Sequence, residues 1–299
     1  MTAPRQVLPG TVYLVTRRCS ERRLFLRPSR FTDATFLYVL AVATQRYRVL
    51  VHAFCVMSNH YHLIVTDVGA QLPAFMQYVD SLVARATNVS LGRWEGFWSS
   101  DGSYSAVSHG ATEDIVRKTA YVLANPVAAG LVRTGREWPG LWTAPEQLGT
   151  ATFTSRRPEN FFRSDGTMPE SAGLALAVPS GFASAEQYQS AVAAALHDLE
   201  AEAQRKIVAA RGGFLGRAAV LAQNPFGRPA SRERRRQLRP RVAAADPSIL
   251  AEALSRLVAF LDAYRLAWTA RRCGARDVVF PAGTYLLRVV HSVPCAAPS

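Results

Sequence analysis

The feature that most constrains the fold is a pair of apolar runs, 49–57 and 61–66, separated only by a short polar break at Ser58 and Asn59. Both runs have the length and composition of β-strands, and so short a connection predicts a hairpin of adjacent strands. The hairpin lies within a longer alternation of strand-like and helix-like segments. That alternation predicts a domain built from both strands and helices.

Further strands are predicted at 11–16 and 104–107. Apolar residues at helical spacing predict helices at 31–47, 72–89 and 112–124. The resulting order, β-α-β-β-α-β-α, is that of a ferredoxin-like split βαβ layer with an antiparallel sheet and one added helix. The sequence therefore predicts an α+β fold for this part of the chain.

The character of the chain changes after about residue 145. Residues 146–185 are rich in Thr, Ser, Pro and Gly, which predicts a linker or irregular loops. Helical patterns at 186–211 and 249–270 predict that residues 186–299 form a mostly helical, Arg-rich C-terminal extension. The expected organisation is thus a domain at 8–145, a connection and this extension.

The charge indicates a polyanionic partner. The chain carries 35 Lys plus Arg against 22 Asp plus Glu, a formal net charge of +13, and only Lys118 and Lys206 are lysines. The excess of arginine reflects either coding bias or phosphate binding, because guanidinium groups contact phosphates bidentately and stack on bases. Acidic small molecules are a weaker explanation. The Arg-rich run 232–241 is either a solvated segment or a contact with the DNA backbone.

Several classes of protein are disfavoured. Charged residues interrupt every apolar run before the roughly 18 to 20 residues that a bilayer requires, and the first ten residues have no apolar signal-peptide core. We therefore expect a cytoplasmic protein with no membrane partner. The four cysteines are widely spaced, which indicates reduced thiols and neither a disulfide framework nor a zinc site.

The candidate chemistry begins with His60 and His62 on the second strand of the hairpin. Residues two apart on a strand project from the same face, so the two imidazoles point together, while Tyr61 faces the opposite side. Neutral imidazoles are common metal ligands. A His-x-His pair by itself is more often structural, so the interpretation needs a second element.

That second element is Tyr121 and Asn125, which lie four residues apart on a predicted helix and therefore on one face. A phenol and an amide could both face the histidine pair. Alternatives stay open: Asn125 precedes Pro126 and could simply end the helix, and Tyr121 could be a core aromatic. Tyr104 is the rival nucleophile, but it has no amide partner one turn away.

Together these motifs resemble a known family. Met57-Ser-Asn-His-Tyr-His62 and Tyr121-Val-Leu-Ala-Asn125-Pro-Val-Ala-Ala-Gly-Leu-Val132 are similar to the motifs of single-tyrosine HUH transposases, in particular the REP-associated tyrosine transposases. The opening from Gly10 to Arg17 resembles the family's first strand. The resemblance covers about residues 8–145. Two features depart from the family pattern, namely Tyr61 in place of an aliphatic residue and a loosely matching segment at 94–104.

The resemblance implies an HUH nuclease type of fold and a specific chemistry. Mg²⁺ or Mn²⁺ would be held by His60, His62 and Asn125, and Tyr121 would attack single-stranded or hairpin DNA to give a 5′-phosphotyrosine link. No small-molecule cofactor is expected. The same resemblance leaves a homodimer open, because relatives include dimers that share the tyrosine helix as well as monomers.

DNA contacts are predicted for basic and aromatic residues around this site and in the arginine run. They are Arg17, Arg18, Trp94, Trp98, Arg232, Arg234, Arg235 and Arg236. Two competing functions remain open: a domesticated, catalytically silent DNA-binding protein, and a metal-dependent hydrolase that uses water and for which Tyr121 is dispensable.

Overall fold

Four strands form the central sheet of the computed structural model, which describes residues 4–100, 103–159, 161–230 and 240–298. The strands are β1 (Thr11–Arg18), β2 (Val49–Met57), β3 (His60–Asp67) and β4 (Ser105–His109). Their order across the sheet is β2-β3-β1-β4, and every neighbouring pair is antiparallel. This is the order of a ferredoxin-like split βαβ layer, so the predicted α+β fold is confirmed.

Helices cover both faces of this sheet. The helices α1 (Arg30–Tyr47) and α2 (Leu72–Ser90) lie on one side, which we call the α2 face. The helices α3 (Thr112–Ala128) and α4 (Ala185–Arg211) lie on the other, which we call the α3 face. Alternation along β3 divides its residues accordingly: Tyr61 and Leu63 join the α2 face, and Ile64 joins the α3 face.

Local signals define where the first two helices begin. The hydroxyl of Ser29 accepts a hydrogen bond from the Thr32 backbone N–H at 3.1 Å, which caps α1. The buried carboxylate of Asp67 accepts from the backbone N–H groups of Gln71 and Leu72 at 2.8 and 2.7 Å. A carboxylate at a helix N-terminus satisfies its unpaired N–H groups and favours its dipole.

The third helix is longer than predicted and corrects one interpretation of Asn125. The helix continues through Pro126 to Ala128, and the Ala129 N–H donates to the Asn125 carbonyl at 2.9 Å. Asn125 is therefore not the helix terminator. Proline removes one helical hydrogen bond, and burial of Val127 within the α3-face core holds the last turn in place. The chain leaves the helix at Gly130, whose φ is 71°.

The segment predicted as a linker or irregular loops, 146–185, contains a hairpin. Its strands are β5 (Thr152–Arg156) and β6 (Ser171–Ala175), paired antiparallel. The hairpin packs on α1, where the Tyr38 hydroxyl donates to the Pro169 carbonyl at 2.5 Å, and on β2, where the rings of Phe54 and Phe153 lie 5.5 Å apart. The two strands were not predicted because each has only five residues, and tertiary contacts stabilise them more than a local pattern does.

The C-terminal extension is mostly helical, as predicted. After α4 come α5 (Arg217–Leu221), α6 (Pro247–Arg272) and α7 (Leu286–His291). The fourth helix belongs to the core of the α3 face, where Tyr188 packs and its hydroxyl lies 2.7 Å from that of Thr119. Short 3-10 helices occur at Ser20–Arg22, Gly135–Glu137 and Pro145–Gln147. Across the residues that the structure describes, no helix has both the length and the apolar character to cross a bilayer.

Candidate active site

Both histidines of the hairpin lie on the α3 face, at one end of the sheet. His60 pairs with Arg18 of β1 and His62 with Thr16. Their rings are 4.8 Å apart between centroids and nearly perpendicular. His62 is buried and His60 is partly exposed. The predicted projection of the two imidazoles from one face is therefore observed.

Hydrogen bonds orient both rings through their Nδ1 atoms. Nδ1 of His62 lies 2.7 Å from the Thr16 hydroxyl, and Nδ1 of His60 lies 2.6 Å from the Asn59 amide oxygen. The Asn59 amide nitrogen donates to the Arg22 carbonyl at 3.3 Å, which leaves its oxygen to accept from His60. A neutral imidazole that donates from Nδ1 carries its lone pair on Nε2, the atom that can ligate a metal.

Electrostatics favour the neutral form of the buried ring. Burial holds the pKa of His62 well below its usual value, and the neighbouring His60 and Arg18 lower it further. A hydrogen bond with the Asn125 side chain acts in the opposite direction. His62 is therefore neutral at pH 7, as a metal ligand must be.

The helix α3 brings Tyr121 and Asn125 to the histidine pair. The ring of Tyr121 lies 5.8 Å from that of His62 between centroids and is 46% exposed, so it is not a core aromatic. The Asn125 side chain lies close enough to His62 to raise its pKa, and the Asn125 amide nitrogen donates to the Tyr121 carbonyl at 3.0 Å. The face of α3 that carries Tyr121 and Asn125 is therefore the face that packs on β3.

Two further side chains of this region were not predicted from the sequence. Lys118, one turn before Tyr121, places its Nζ 5.9 Å from the Tyr121 ring centroid. Lys206 of α4 lines a cavity of about 210 Å³ whose wall includes Tyr121. The i, i+3 spacing from Tyr121 could have identified Lys118, but no local pattern connects Lys206 to this site.

The donor set fits a weakly held divalent ion. Two imidazole nitrogens and one amide oxygen carry no charge, so further ligands such as phosphate oxygens and water would have to complete the coordination. Within the described ranges, no group of three or more His, Cys, Asp or Glu could hold a metal by itself. These residues are therefore suited to an ion that a bound phosphate helps to hold.

Tyr104, the rival nucleophile, lies elsewhere. It is buried in the core of the α2 face, on the opposite side of the sheet from the histidines. The Arg5 guanidinium lies 4.1 Å above its ring, and burial raises the pKa of Tyr104 to about 12. The fold does not bring it to His60 and His62.

The residues predicted to contact DNA fall into three groups. Arg18 is exposed beside His60, and Trp94 is 89% exposed. Arg17 and Trp98 lie on the α2 face, where Arg17 pairs with Asp80 at 3.5 Å and the Trp98 indole donates to the Asp80 carbonyl at 2.9 Å. The remaining predicted contacts, Arg232, Arg234, Arg235 and Arg236, lie outside the described residues.

Known proteins give few matches. No family model and no curated protein matches the chain. Among solved structures, a REP-associated tyrosine transposase bound to a REP hairpin aligns at 16% identity, over 46% of this chain and 78% of that one, with a TM-score of 0.39. A candidate transposase from Deinococcus radiodurans aligns at 16% identity, over 41% and 95%, with a TM-score of 0.29. Likeness at these TM-scores does not establish a shared function.

Proposed function

We propose that the protein cleaves and rejoins single-stranded, hairpin-flanked DNA through a covalent link to Tyr121. The observation that carries this proposal is the half-exposed phenol of Tyr121 beside a buried, neutral His62, with His60 and Asn125 on the same face. A nucleophile, two oriented imidazoles and an amide thus converge at a surface that solvent and DNA can reach.

Tyr121 acts as the nucleophile. Its oxygen attacks the phosphorus of a phosphodiester, the new O–P bond replaces the bond from phosphorus to the 3′ oxygen, and a 5′-phosphotyrosine and a free 3′-hydroxyl result. The phenol proton passes to solvent, and the leaving 3′ oxygen takes up a proton. One phosphodiester replaces another, so a later 3′-hydroxyl can reverse the step without ATP.

Cationic groups around the phenol assist this step. The ammonium of Lys118 lies 5.9 Å from the Tyr121 ring centroid and favours negative charge that develops on the phenol oxygen during attack. Arg18, exposed beside His60, is placed to contact a phosphate of the bound strand.

His60, His62 and Asn125 would hold Mg²⁺ or Mn²⁺. The ion, when bound, supplies a positive charge that polarises the scissile phosphodiester. The contribution of the chain is to present neutral, oriented donors, because Thr16 and Asn59 fix both imidazole rings. Since the donors are neutral, we expect the ion to bind more tightly in the presence of DNA.

DNA binding would depend on exposed residues around this site. Trp94 is available for stacking on unpaired bases, whereas the buried faces of Trp98 and the ion pair of Arg17 favour structural roles. The arginines at 232–236 remain proposed backbone contacts. Because α4 of the same chain packs on α3, the tyrosine helix needs no second subunit to cover it, so we expect a single chain to act.

The test is covalent capture. Wild type, Tyr121→Phe and Tyr104→Phe are incubated with labelled hairpin DNA carrying single-stranded flanks and Mg²⁺ or Mn²⁺, then denatured. We expect an adduct for wild type and Tyr104→Phe and none for Tyr121→Phe, which should still bind the DNA. An adduct that persists in Tyr121→Phe contradicts the choice of nucleophile. Cleavage without any adduct indicates attack by water, and DNA binding without cleavage by wild type indicates a silent binding protein.

A further inference from the structure

A second cavity lies at the other end of the sheet from the histidine pair. It has a volume of about 340 Å³ and lies at the edge strand β4, next to the start of α3. The segment around Val242 closes it by extending the sheet: the Ser108 N–H donates to the Arg241 carbonyl at 2.9 Å, and the Ala243 N–H donates to the Ser108 carbonyl at 3.2 Å. The volume is at the lower end of small-molecule sites.

One wall of this cavity is cationic. Arg5 and Arg241 line it, and the pKa of Arg241 is lowered by burial and by the nearby positive charge of Arg5. Arg5 is held in place by its contact with the Tyr104 ring, and Arg241 by donating to the Pro4 carbonyl. No Asp or Glu occurs among the described residues that line the cavity. Two guanidinium groups brought together in this way favour an anion between them.

His109 provides an independent indication of a ligand. Its ring lines the cavity and is 5% exposed, yet neither ring nitrogen has a hydrogen-bond partner among the described residues. The backbone of Ala243 lies nearby without the geometry of a hydrogen bond. Buried polar nitrogens are rarely left unsatisfied, which indicates that a ligand or water completes them.

The carboxylate that acts on the charge state of His109 is already engaged. Asp114, in the first turn of α3, accepts a hydrogen bond from the Ala245 N–H at 3.0 Å and pairs with Arg117.

Apolar side chains form another part of the lining, namely Leu8, Val12, Ile115, Ile249 and Leu257. A free phosphate would leave most of these side chains uncovered. An amphipathic ligand, with a phosphate at one end and a ring at the other, would contact both the guanidinium groups and these apolar side chains.

We propose that this cavity binds a nucleotide, with its phosphate at Arg5 and Arg241 and its base or sugar against His109 and the apolar lining residues. Two sources supply this chemistry: a nucleotide of the bound DNA strand, or a free mononucleotide. Lys118 relates the cavity to the candidate active site, since its charge acts on His109 and its ammonium lies 5.9 Å from the Tyr121 ring centroid. From Thr112 to Tyr121, α3 spans about 14 Å.

Histidine ring NMR on the full-length protein tests the site directly, because the chain has only six histidines. We expect thymidine 5′-monophosphate to shift the ring nitrogens of His109 and to leave those of His52 unchanged, because His52 bonds to Ala177 and Thr66. Thymidine, which lacks the phosphate, and inorganic phosphate, which lacks the ring, should both bind more weakly. A His109 ring that does not respond to the nucleotide overturns the proposal.

A matched pair of arginine variants distinguishes binding at a specific site from general attraction to the positively charged protein. Arg241→Gln should weaken nucleotide binding about tenfold or more, whereas Arg272→Gln, an exposed position at the end of α6, should leave it within about twofold. Arg5→Gln serves as a second cavity variant if Arg241→Gln does not fold. Equal weakening by the cavity and control variants overturns the proposal.

Competition distinguishes the two sources. If the nucleotide comes from the DNA strand, hairpin DNA displaces thymidine 5′-monophosphate and Arg241→Gln weakens DNA binding by a similar factor. If it is a free mononucleotide, both ligands bind together and DNA affinity is unchanged. The proposal does not depend on the chemistry at Tyr121: loss of the adduct in Tyr121→Phe leaves nucleotide binding intact, and absence of nucleotide binding leaves the adduct test unaffected.

Discussion

The two faces of the central sheet carry similar side chains and use them differently. On the α2 face, the Tyr61 hydroxyl donates to Asp80 at 2.5 Å, and Asp80 pairs with Arg17 at 3.5 Å. Burial raises the pKa of Asp80 to about 6, although Tyr61 and Arg17 oppose that change. On the α3 face, hydrogen bonds orient the histidines at Nδ1, and the Tyr121 phenol is 46% exposed.

One strand thus carries both a residue that stabilises the fold and residues of the candidate site. Tyr61 and His62 are neighbours in the chain, but the pleat sends them to opposite faces. A buried phenol that is satisfied by a carboxylate stabilises the fold, whereas an exposed phenol beside oriented neutral imidazoles is available to react.

Removing either imidazole should abolish the chemistry of the α3 face. We expect His60→Ala and His62→Ala to form no covalent adduct, because each loses a metal donor, and to bind hairpin DNA within a few-fold of wild type. His197→Ala, at an exposed position of α4, is the matched control and should react normally. Undiminished cleavage by either site variant in chelator-treated buffer would exclude the metal assignment.

Disrupting the α2 face should affect stability and leave the chemistry intact. Asp80→Ala removes the acceptor of Tyr61 and the partner of Arg17, which should lower the free energy of unfolding by about 2 to 4 kcal/mol. Denaturant unfolding measures this change. Adduct yield per folded molecule should equal that of wild type, and a large loss of yield would show that the α2 face takes part in the reaction.

Removing the hydrogen-bond partner of His62 should slow adduct formation without abolishing it. Thr16→Val keeps the side-chain shape but removes the hydroxyl 2.7 Å from Nδ1 of His62. Because outer-shell partners orient metal-binding imidazoles, we expect the rate of adduct formation to fall about 10- to 100-fold with little change in melting temperature. Thr44→Val, on α1, is the control, since its hydroxyl bonds only to the Ala41 carbonyl within that helix. An unchanged rate in Thr16→Val would show that the bond does not orient the ring for reaction.

His52 provides the contrast of a structural histidine. It occupies the bulge of β2, with Nδ1 2.7 Å from the Ala177 carbonyl and Nε2 2.7 Å from the Thr66 hydroxyl, and burial lowers its pKa to about 4. The pKa of His52 is 6.5 in the unfolded chain, so between pH 6.5 and pH 4 the unfolded chain binds more protons than the folded protein does. The stability that neutral, buried His52 contributes is therefore present above pH 6.5 and is lost as the pH falls toward 4.

The measurement is the pH dependence of unfolding in wild type and His52→Gln. The wild type should lose about 1 to 2 kcal/mol more than the variant between pH 7 and pH 5. Parallel pH profiles for the two proteins would show that His52 is not the group responsible.

Much of the fold follows from local patterns in the chain. The positions of β1 to β4 and of α1 to α3 were predicted within a few residues, because apolar periodicity and turn chemistry are local properties. The hairpin β5–β6 was missed because five-residue strands give only a weak periodic signal and are stabilised by packing on α1 and β2. The end of α3 was misplaced because burial of Val127 outweighs the local effect of Pro126.

For the candidate site, the chain by itself determined that His60 and His62 share a face and that Tyr121 and Asn125 share another, since strand and helix periods set both. Long-range packing brings these two faces together, places Tyr104 across the sheet and pairs Arg17 with Asp80. The physical reason is the range of the interactions. Backbone periodicity acts over a few residues, whereas the packing of α3 on β3 joins residues some 60 positions apart.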